Sequence, residues 1–264
     1  MITAGVDIGA GTTKAVLMDD AGRILVKVSE RSGARLDAAG SRALAAVLEK
    51  AGLRREDIAY VAATGYGRYQ LPERDIQITE VTCHARGASY LFPGTRCLLD
   101  IGAQSTRAIR VDDAGRVMRF RMNDRCAAGA GRFLERVARA LEVPLDDLGP
   151  MSLHSADPQA ISSICAVLAE SEVISLVTSG KATEDILMGA HLSIADRALA
   201  LLRQVGVDGE VTVTGGVVLN RGMLTALERR LGRTVNASPD TVYAGAIGAA
   251  LLGFVRLRKL GEAR

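Results

Sequence analysis

The stretch Gly5-Val6-Asp7-Ile8-Gly9-Ala10-Gly11-Thr12-Thr13-Lys14-Ala15-Val16-Leu17-Met18-Asp19-Asp20-Ala21-Gly22-Arg23 has a second copy in the same chain. It returns as Leu98-Leu99-Asp100-Ile101-Gly102-Ala103-Gln104-Ser105-Thr106-Arg107-Ala108-Ile109-Arg110-Val111-Asp112-Asp113-Ala114-Gly115-Arg116. The offset is a constant 93 residues, from Asp7 to Asp100 and from Gly22 to Gly115, with no gap between. Asp-Ile-Gly-Ala and Asp-Asp-Ala-Gly-Arg are identical in both copies, so the chain is a duplication. In each copy an apolar run ends at Asp-Ile-Gly and a Gly/Ser/Thr turn follows. A second apolar run then reaches a hairpin signal, and a third strand leaves it. Each half is therefore expected to open with a three-stranded antiparallel meander.

Outward from the repeats, Ser41 to Ala51 carries Leu44, Val47 and Leu48 at helical spacing, with Gly52 as its stop. Ile58 to Ala63 reads as a buried strand. Gly131 to Leu141, Ile164 to Val177 and Ile186 to Gln204 read as helices. Glu210 to Thr214 reads as a strand running into Gly215-Gly216, with a helix from about Arg221. The expected fold is α/β, two duplicated RNase H-like lobes with a nucleotide cleft between them. Residues 1–92 form the first lobe, completed by a C-terminal helix over 243–264, and residues 93–242 form the second.

Composition narrows the function classes. The chain has 264 residues, 48% hydrophobic, 24% charged and 3% aromatic, with 28 glycines and a formal charge of +3. Scattered basic residues and few aromatics argue against nucleic acid. No leader pattern opens the sequence. The apolar run Ala244 to Val255 is too short to span a bilayer and holds Gly245, Gly248 and Gly253. A cytoplasmic protein with reduced thiols and no membrane partner is expected.

The turn Asp7 to Lys14 fits neither the P-loop nor the dinucleotide fingerprint, because the spacing differs and a strand follows. Two turns of the same chemistry can nonetheless grip a polyphosphate from two sides, through backbone N–H groups and hydroxyls. Asp7 and Asp100 are candidates to hold hydrated Mg²⁺ or orient water, and Gln104 joins them as a catalytic candidate. Gly9, Gly11, Thr12, Thr13, Lys14, Gly102 and Ser105 are the phosphate candidates, and Gly131 is a further cofactor-binding candidate. Gly215, Gly216 and Asn220 suit close approach by an adenosine. This set resembles the actin, Hsp70 and sugar-kinase superfamily of ATPases, which implies bound ATP or ADP.

Four cysteines remain: Cys83, Cys97, Cys126 and Cys165. By spacing alone, Cys126 and Cys165, 39 residues apart, form no metal motif and read as small core residues. Two stretches give them more weight: Asn123-Asp124-Arg125-Cys126-Ala127-Ala128-Gly129-Ala130-Gly131-Arg132-Phe133-Leu134-Glu135, and Ser162-Ser163-Ile164-Cys165-Ala166-Val167-Leu168-Ala169-Glu170-Ser171. With Ala63-Thr-Gly-Tyr-Gly-Arg68 and Cys83-His-Ala-Arg-Gly-Ala88, they resemble the ATP-dependent activators of 2-hydroxyacyl-CoA dehydratases and the ATPase subunits of benzoyl-CoA reductases. The resemblance implies that Cys126 and Cys165 ligate one [4Fe–4S] cluster bridging two subunits, in a homodimer or with a sister ATPase subunit. It implies anaerobic metabolism, ferredoxin or flavodoxin as donor, and a dehydratase or reductase component as acceptor.

Many activators have Gly-Gly-Gln-Asp where this chain has Gly102-Ala103-Gln104-Ser105. That departure leaves open which residue positions the attacking water, and leans toward the reductase branch. Two rival readings stand beside this one. A sugar or other small-molecule kinase of the same superfamily would use Asp100 as base. An actin-like assembly protein would use nucleotide only to change shape. His84, His154 and His191 show no ligand spacing and are expected to be structural, as is Cys83. Cys97 is expected in the core.

Overall fold

The computed structural model describes residues 1–123, 131–161 and 166–262. Cys126 and Cys165 lie outside these described residues. In chain order the strands and helices are β1 (Ile2–Ile8), β2 (Thr12–Asp19), β3 (Ile24–Arg31), α1 (Leu36–Ala51), β4 (Tyr60–Thr64), β5 (Ile76–Gln77) and α2 (Glu80–Leu91). They continue as β6 (Thr95–Ile101), β7 (Thr106–Val111), β8 (Val117–Asn123), α3 (Gly131–Ala140), α4 (Leu148–Ser152) and α5 (Ala166–Thr178). The last are α6 (Thr183–Val205), β9 (Glu210–Thr214), α7 (Arg221–Leu231) and α8 (Ala244–Glu262).

The chain divides into two compact units, Met1–Arg96 with Val111–Met118 and Asp240–Arg264, and Cys97–Arg110 with Arg119–Pro239. The first unit carries a five-stranded sheet of order β3-β2-β1-β4-β5, and the second sheet has order β8-β7-β6-β9. β1 and β2 pair antiparallel with Asp7 opposite Lys14; β6 and β7 pair the same way with Asp100 opposite Arg107. The meanders thus share one register. Their far loops match as well. Gly22 and Gly115 both have positive φ, at 80° and 70°, where a side chain would be strained. Asp19 accepts from the Arg23 backbone N–H at 2.8 Å, and Asp112 from that of Arg116 at 2.9 Å. These backbone bonds are the largest cause holding both carboxyls below their ordinary value.

In the first unit, alternation along β1 and β2 buries Ala4, Val6, Ile8, Ala15 and Leu17 against Ala43, Leu44 and Val47 of α1. The opposite face, Val16 and Met18, meets Ala246, Ile247 and Ala250 of α8. Small residues let backbones touch there. A side chain on Gly87 would strike the Ala244 carbonyl, and one on Gly248 would strike the carbonyl of Cys83, so α2 and α8 cross at bare Cα atoms. α8 reaches Glu262, longer than the expected apolar run. The stretch Pro239–Gly261 has the length and composition to cross a membrane, but 61% of its apolar window is buried inside the protein.

α1 begins five residues before the expected Ser41, because Leu36 to Gly40 supply small residues that pack on the sheet. α2 had no sequence expectation at all. β8 departs from β3 in polarity: Val26 and Val28 pack into the first core, whereas their counterparts by the 93-residue offset, Arg119 and Arg121, are exposed. Met118, Phe120 and Met122 on the other face of β8 are exposed too.

Candidate functional site

Turn 1 joins β1 to β2 and is closed by the Gly9 amide donating to the Thr12 carbonyl at 3.2 Å. Beneath it lies Ser32, whose hydroxyl donates to the Gly9 carbonyl at 2.6 Å and pairs with Thr13 Oγ1 at 2.9 Å. The Ser32 amide also donates to the Gly11 carbonyl at 3.1 Å. Thr13 is fully buried, so it braces the turn from below, while Gly9, Ala10, Gly11 and Thr12 stay partly open. Lys14 follows on β2. It is buried, donates from Nζ to the Thr12 carbonyl at 3.4 Å, and lies 3.8 Å from Asp7 Oδ2.

Asp7 is 4% exposed, and its carboxylate makes no hydrogen bond among the described residues. His84 Nε2 on α2 also lies 4.0 Å from Asp7 Oδ2. A Cβ on Gly245 of α8 would lie 2.7 Å from Asp7 Oδ2 and 2.8 Å from His84 Nε2, so glycine there leaves both groups room. Gly65, at φ 90°, passes equally close on the Oδ1 side. A buried carboxylate with an ion-pair neighbour but no hydrogen bond, beside an open turn, fits a hydrated divalent cation, whose waters take the hydrogen bonds.

Turn 2 joins β6 to β7 and is closed in the same way, Gly102 N–H to Ser105 carbonyl at 2.9 Å. Gln104 is exposed at its tip. The amides of Gly131 and Arg132, in the first turn of α3, donate to the carbonyls of Gly102 and Ala103, each at 2.9 Å. Gly131 therefore spends its N–H on the turn itself. Asp100, 2% exposed, accepts from Arg107 Nη1 at 2.7 Å and from Thr214 Oγ1 at 3.4 Å.

β9 runs into Gly215, whose φ of 87° turns the chain beside Asp100 and the Ile101 carbonyl. Gly216 is exposed with open space where a side chain would stand, as close backbone approach by a ligand requires. Asn220 is further committed. Its Oδ1 caps α7 by accepting from the Met223 amide at 2.9 Å, and its Nδ2 lies 3.0 Å from His191 Nε2.

Sequence reasoning thus located both turns, and missed Ser32, Arg107 and the approach of His84 to Asp7. Arg107 had a signal, since it is the repeat's counterpart of Lys14. Ser32 lies outside the repeat and had none. Cys83 and Cys97 are both free and buried, and burial is the leading cause that pushes the Cys83 thiol up to about 12. Neither fits a thiolate ligand. No group of three or more His, Cys, Asp or Glu gathers as a metal site among the described residues.

With the geometry in place, comparison with known proteins supplies the family. The BadF/BadG/BcrA/BcrD ATPase family matches residues 4–253. The chain belongs to that ATPase family. Within it, the chain is 44% identical to a subunit of the benzoyl-CoA reductase of Thauera aromatica, over 99% of this chain and 96% of that one. It is 42% identical to the activator of lactoyl-CoA dehydratase of Anaerotignum propionicum, over 98% and 100%. The solved activator of 2-hydroxyisocaproyl-CoA dehydratase from Clostridium difficile, with bound ADPNP, superposes with a TM-score of 0.94 at 39% identity, over 100% and 98%. A ROK-family glucokinase from Streptomyces griseus, at 18% identity and a TM-score of 0.60 over 97% and 100%, shares the fold alone. The activator and reductase family read from the cysteine stretches is thereby met, and the fold expected from the paired turns is shared with these solved structures.

Proposed function

We propose that this ATPase drives delivery of single low-potential electrons from a [4Fe–4S] cluster to an acyl-CoA dehydratase or benzoyl-CoA reductase component. The observation that carries the reading is the pair of hydrogen bonds from α3 to turn 2. α3 opens five residues after Cys126. A phosphate that shifts the Gly102 and Ala103 carbonyls therefore pulls on the segment that leads to that cysteine. α5 opens at Ala166, next to Cys165, and Glu170 on it lies 3.5 Å from Arg136 on α3. Turn 2 is thus tied to α3, and α3 to α5, the two helices that follow Cys126 and Cys165 in the sequence. The names of the close relatives support the same reading.

In this account the open amides of turn 1, with the hydroxyls of Thr12 and Ser105, bind phosphate oxygens. Lys14 offsets phosphate charge from beneath turn 1, Asp7 holds hydrated Mg²⁺, and Gln104 orients water. The bare backbone at Gly216 receives the adenosine. Cys126 and Cys165, from this chain and a second copy or a sister ATPase subunit, hold the cluster. When bound, it supplies a one-electron couple whose potential follows its hydrogen bonding and exposure. A ferredoxin or flavodoxin in the cytoplasm is the donor.

The test is an anaerobic assay with a dehydratase or reductase component and ATP. Cys126→Ala and Cys165→Ala are expected to keep ATP hydrolysis and to lose ATP-dependent reduction of the acceptor. Full acceptor activation by either variant would overturn the proposal.

A further inference from the structure

The duplication puts two aspartates at the same register position, each facing a basic residue on the neighbouring strand. Their surroundings have diverged. Asp100 is held on both oxygens, by Arg107 at 2.7 Å and Thr214 at 3.4 Å. Asp7 has Lys14 no nearer than 3.8 Å and His84 no nearer than 4.0 Å, both beyond hydrogen-bond length. The cause is the chemistry of the facing cation. A guanidinium presents a planar fork that matches a carboxylate, whereas an ammonium is a point charge that turns to whichever acceptor is close. Here Lys14 turns to the Thr12 carbonyl instead.

We infer that the two carboxylates have different work: Asp7 alone holds the nucleotide's hydrated divalent cation, and Asp100 with Arg107 is a fixed ion pair that sets the position of turn 2. Drawing Asp100 toward a metal would break its 2.7 Å hydrogen bond to a guanidinium buried with it, a loss that buried pairs strongly resist. Asp7 breaks no hydrogen bond when it takes a cation. Asp100 is therefore removed from metal and water chemistry, and Arg107 becomes a positioning residue. Two hydrogen bonds tie the carbonyls of this turn to α3, so holding Asp100 still also fixes the turn that α3 leans on.

This inference rests on the nucleotide reading above. Its test uses Mn²⁺ as the probe, titrated by electron paramagnetic resonance into anaerobic full-length protein with ADPNP. Asp7→Asn is expected to weaken Mn²⁺ about tenfold or more, as loss of a ligating carboxylate does. The double variant D100N/R107Q, which removes both charges together, is expected to stay within about threefold of wild type. Equal loss of Mn²⁺ in both variants, or no loss in Asp7→Asn, overturns the inference. Failure of the wild-type protein to bind Mn²⁺ with ADPNP would sink the nucleotide reading beneath it, a distinguishable result.

Arg107→Lys covers the case in which the double variant does not fold. It keeps the charge but loses the fork, so turn 2 loosens: hydrolysis is expected to fall about fivefold in kcat with Mn²⁺ affinity held within about threefold. A loss of Mn²⁺ affinity that follows the loss in kcat would place Asp100 at the metal and refute the division.

Discussion

Substitution of Gly245 by alanine tests the site with little confounding from the fold. The new Cβ would lie 2.7 Å from Asp7 Oδ2, 2.8 Å from His84 Nε2 and 3.0 Å from Asp7 Cγ. These are the ends of side chains, so they yield rather than the backbone. Restoring ordinary contact moves the Asp7 carboxylate by roughly half an ångström. Gly245 sits in the first turn of α8, where alanine is favoured over glycine by about 0.5–1 kcal/mol, so overall stability is expected to stay near wild type. Misplacement of a cation-holding group on this scale lowers kcat by roughly tenfold to a hundredfold, about 1.4–2.7 kcal/mol of barrier. The assay is steady-state Mg-ATP hydrolysis beside a thermal melt on the same preparation. Wild-type kcat with an unchanged melt would refute the placement of Asp7 at the reacting centre. A collapsed melt would show that the backbone, not the carboxylate, bears the strain.

Other expectations follow from neighbouring features. Gly248→Ala drives a Cβ into the Cys83 carbonyl, where only backbone can give, so thermal unfolding is expected to fall by several degrees, for a loss of about 3 kcal/mol. Ser32→Ala removes the hydroxyl that bonds Gly9 and Thr13, and is expected to weaken ADPNP binding by roughly tenfold as turn 1 loses its brace, read by calorimetry. Burial lowers His191 from 6.5 to about 4, so the neutral ring is the form that fits the fold. Its stabilising effect is complete above pH 6.5 and is lost as pH falls toward 4, a loss on the order of 3 kcal/mol that denaturant melts at both pH values measure. His191→Asn is expected to flatten that dependence.

Legibility from sequence followed what repetition exposes. The turns, their facing residues and the meander register were readable because two copies of one pattern constrain each other. Asp7 opposite Lys14 predicts Asp100 opposite Arg107 as soon as the offset is known. What the residues do within that register was not readable, because the difference between 3.8 Å and 2.7 Å depends on how each cation reaches its partner. α2 escaped notice because its buried face is Cys83, His84, Ala85, Gly87 and Ala88, small or polar residues that give little hydrophobic periodicity. Ser32 escaped because a lone serine after a half-buried strand carries no pattern. Gly131 is a cofactor-binding candidate in sequence, and its tie to turn 2 through its amide to the Gly102 carbonyl is visible only in the fold.

The central claim joins ATP to a redox centre held at Cys126 and Cys165, and iron tests it most directly. Anaerobically purified protein should hold half of a four-iron cluster per chain, with a resonance signal of the reduced form that shifts when Mg-ATP is added. Cys126→Ala and Cys165→Ala should each abolish that iron. Protein purified without air that binds ADPNP yet carries no iron would contradict the account.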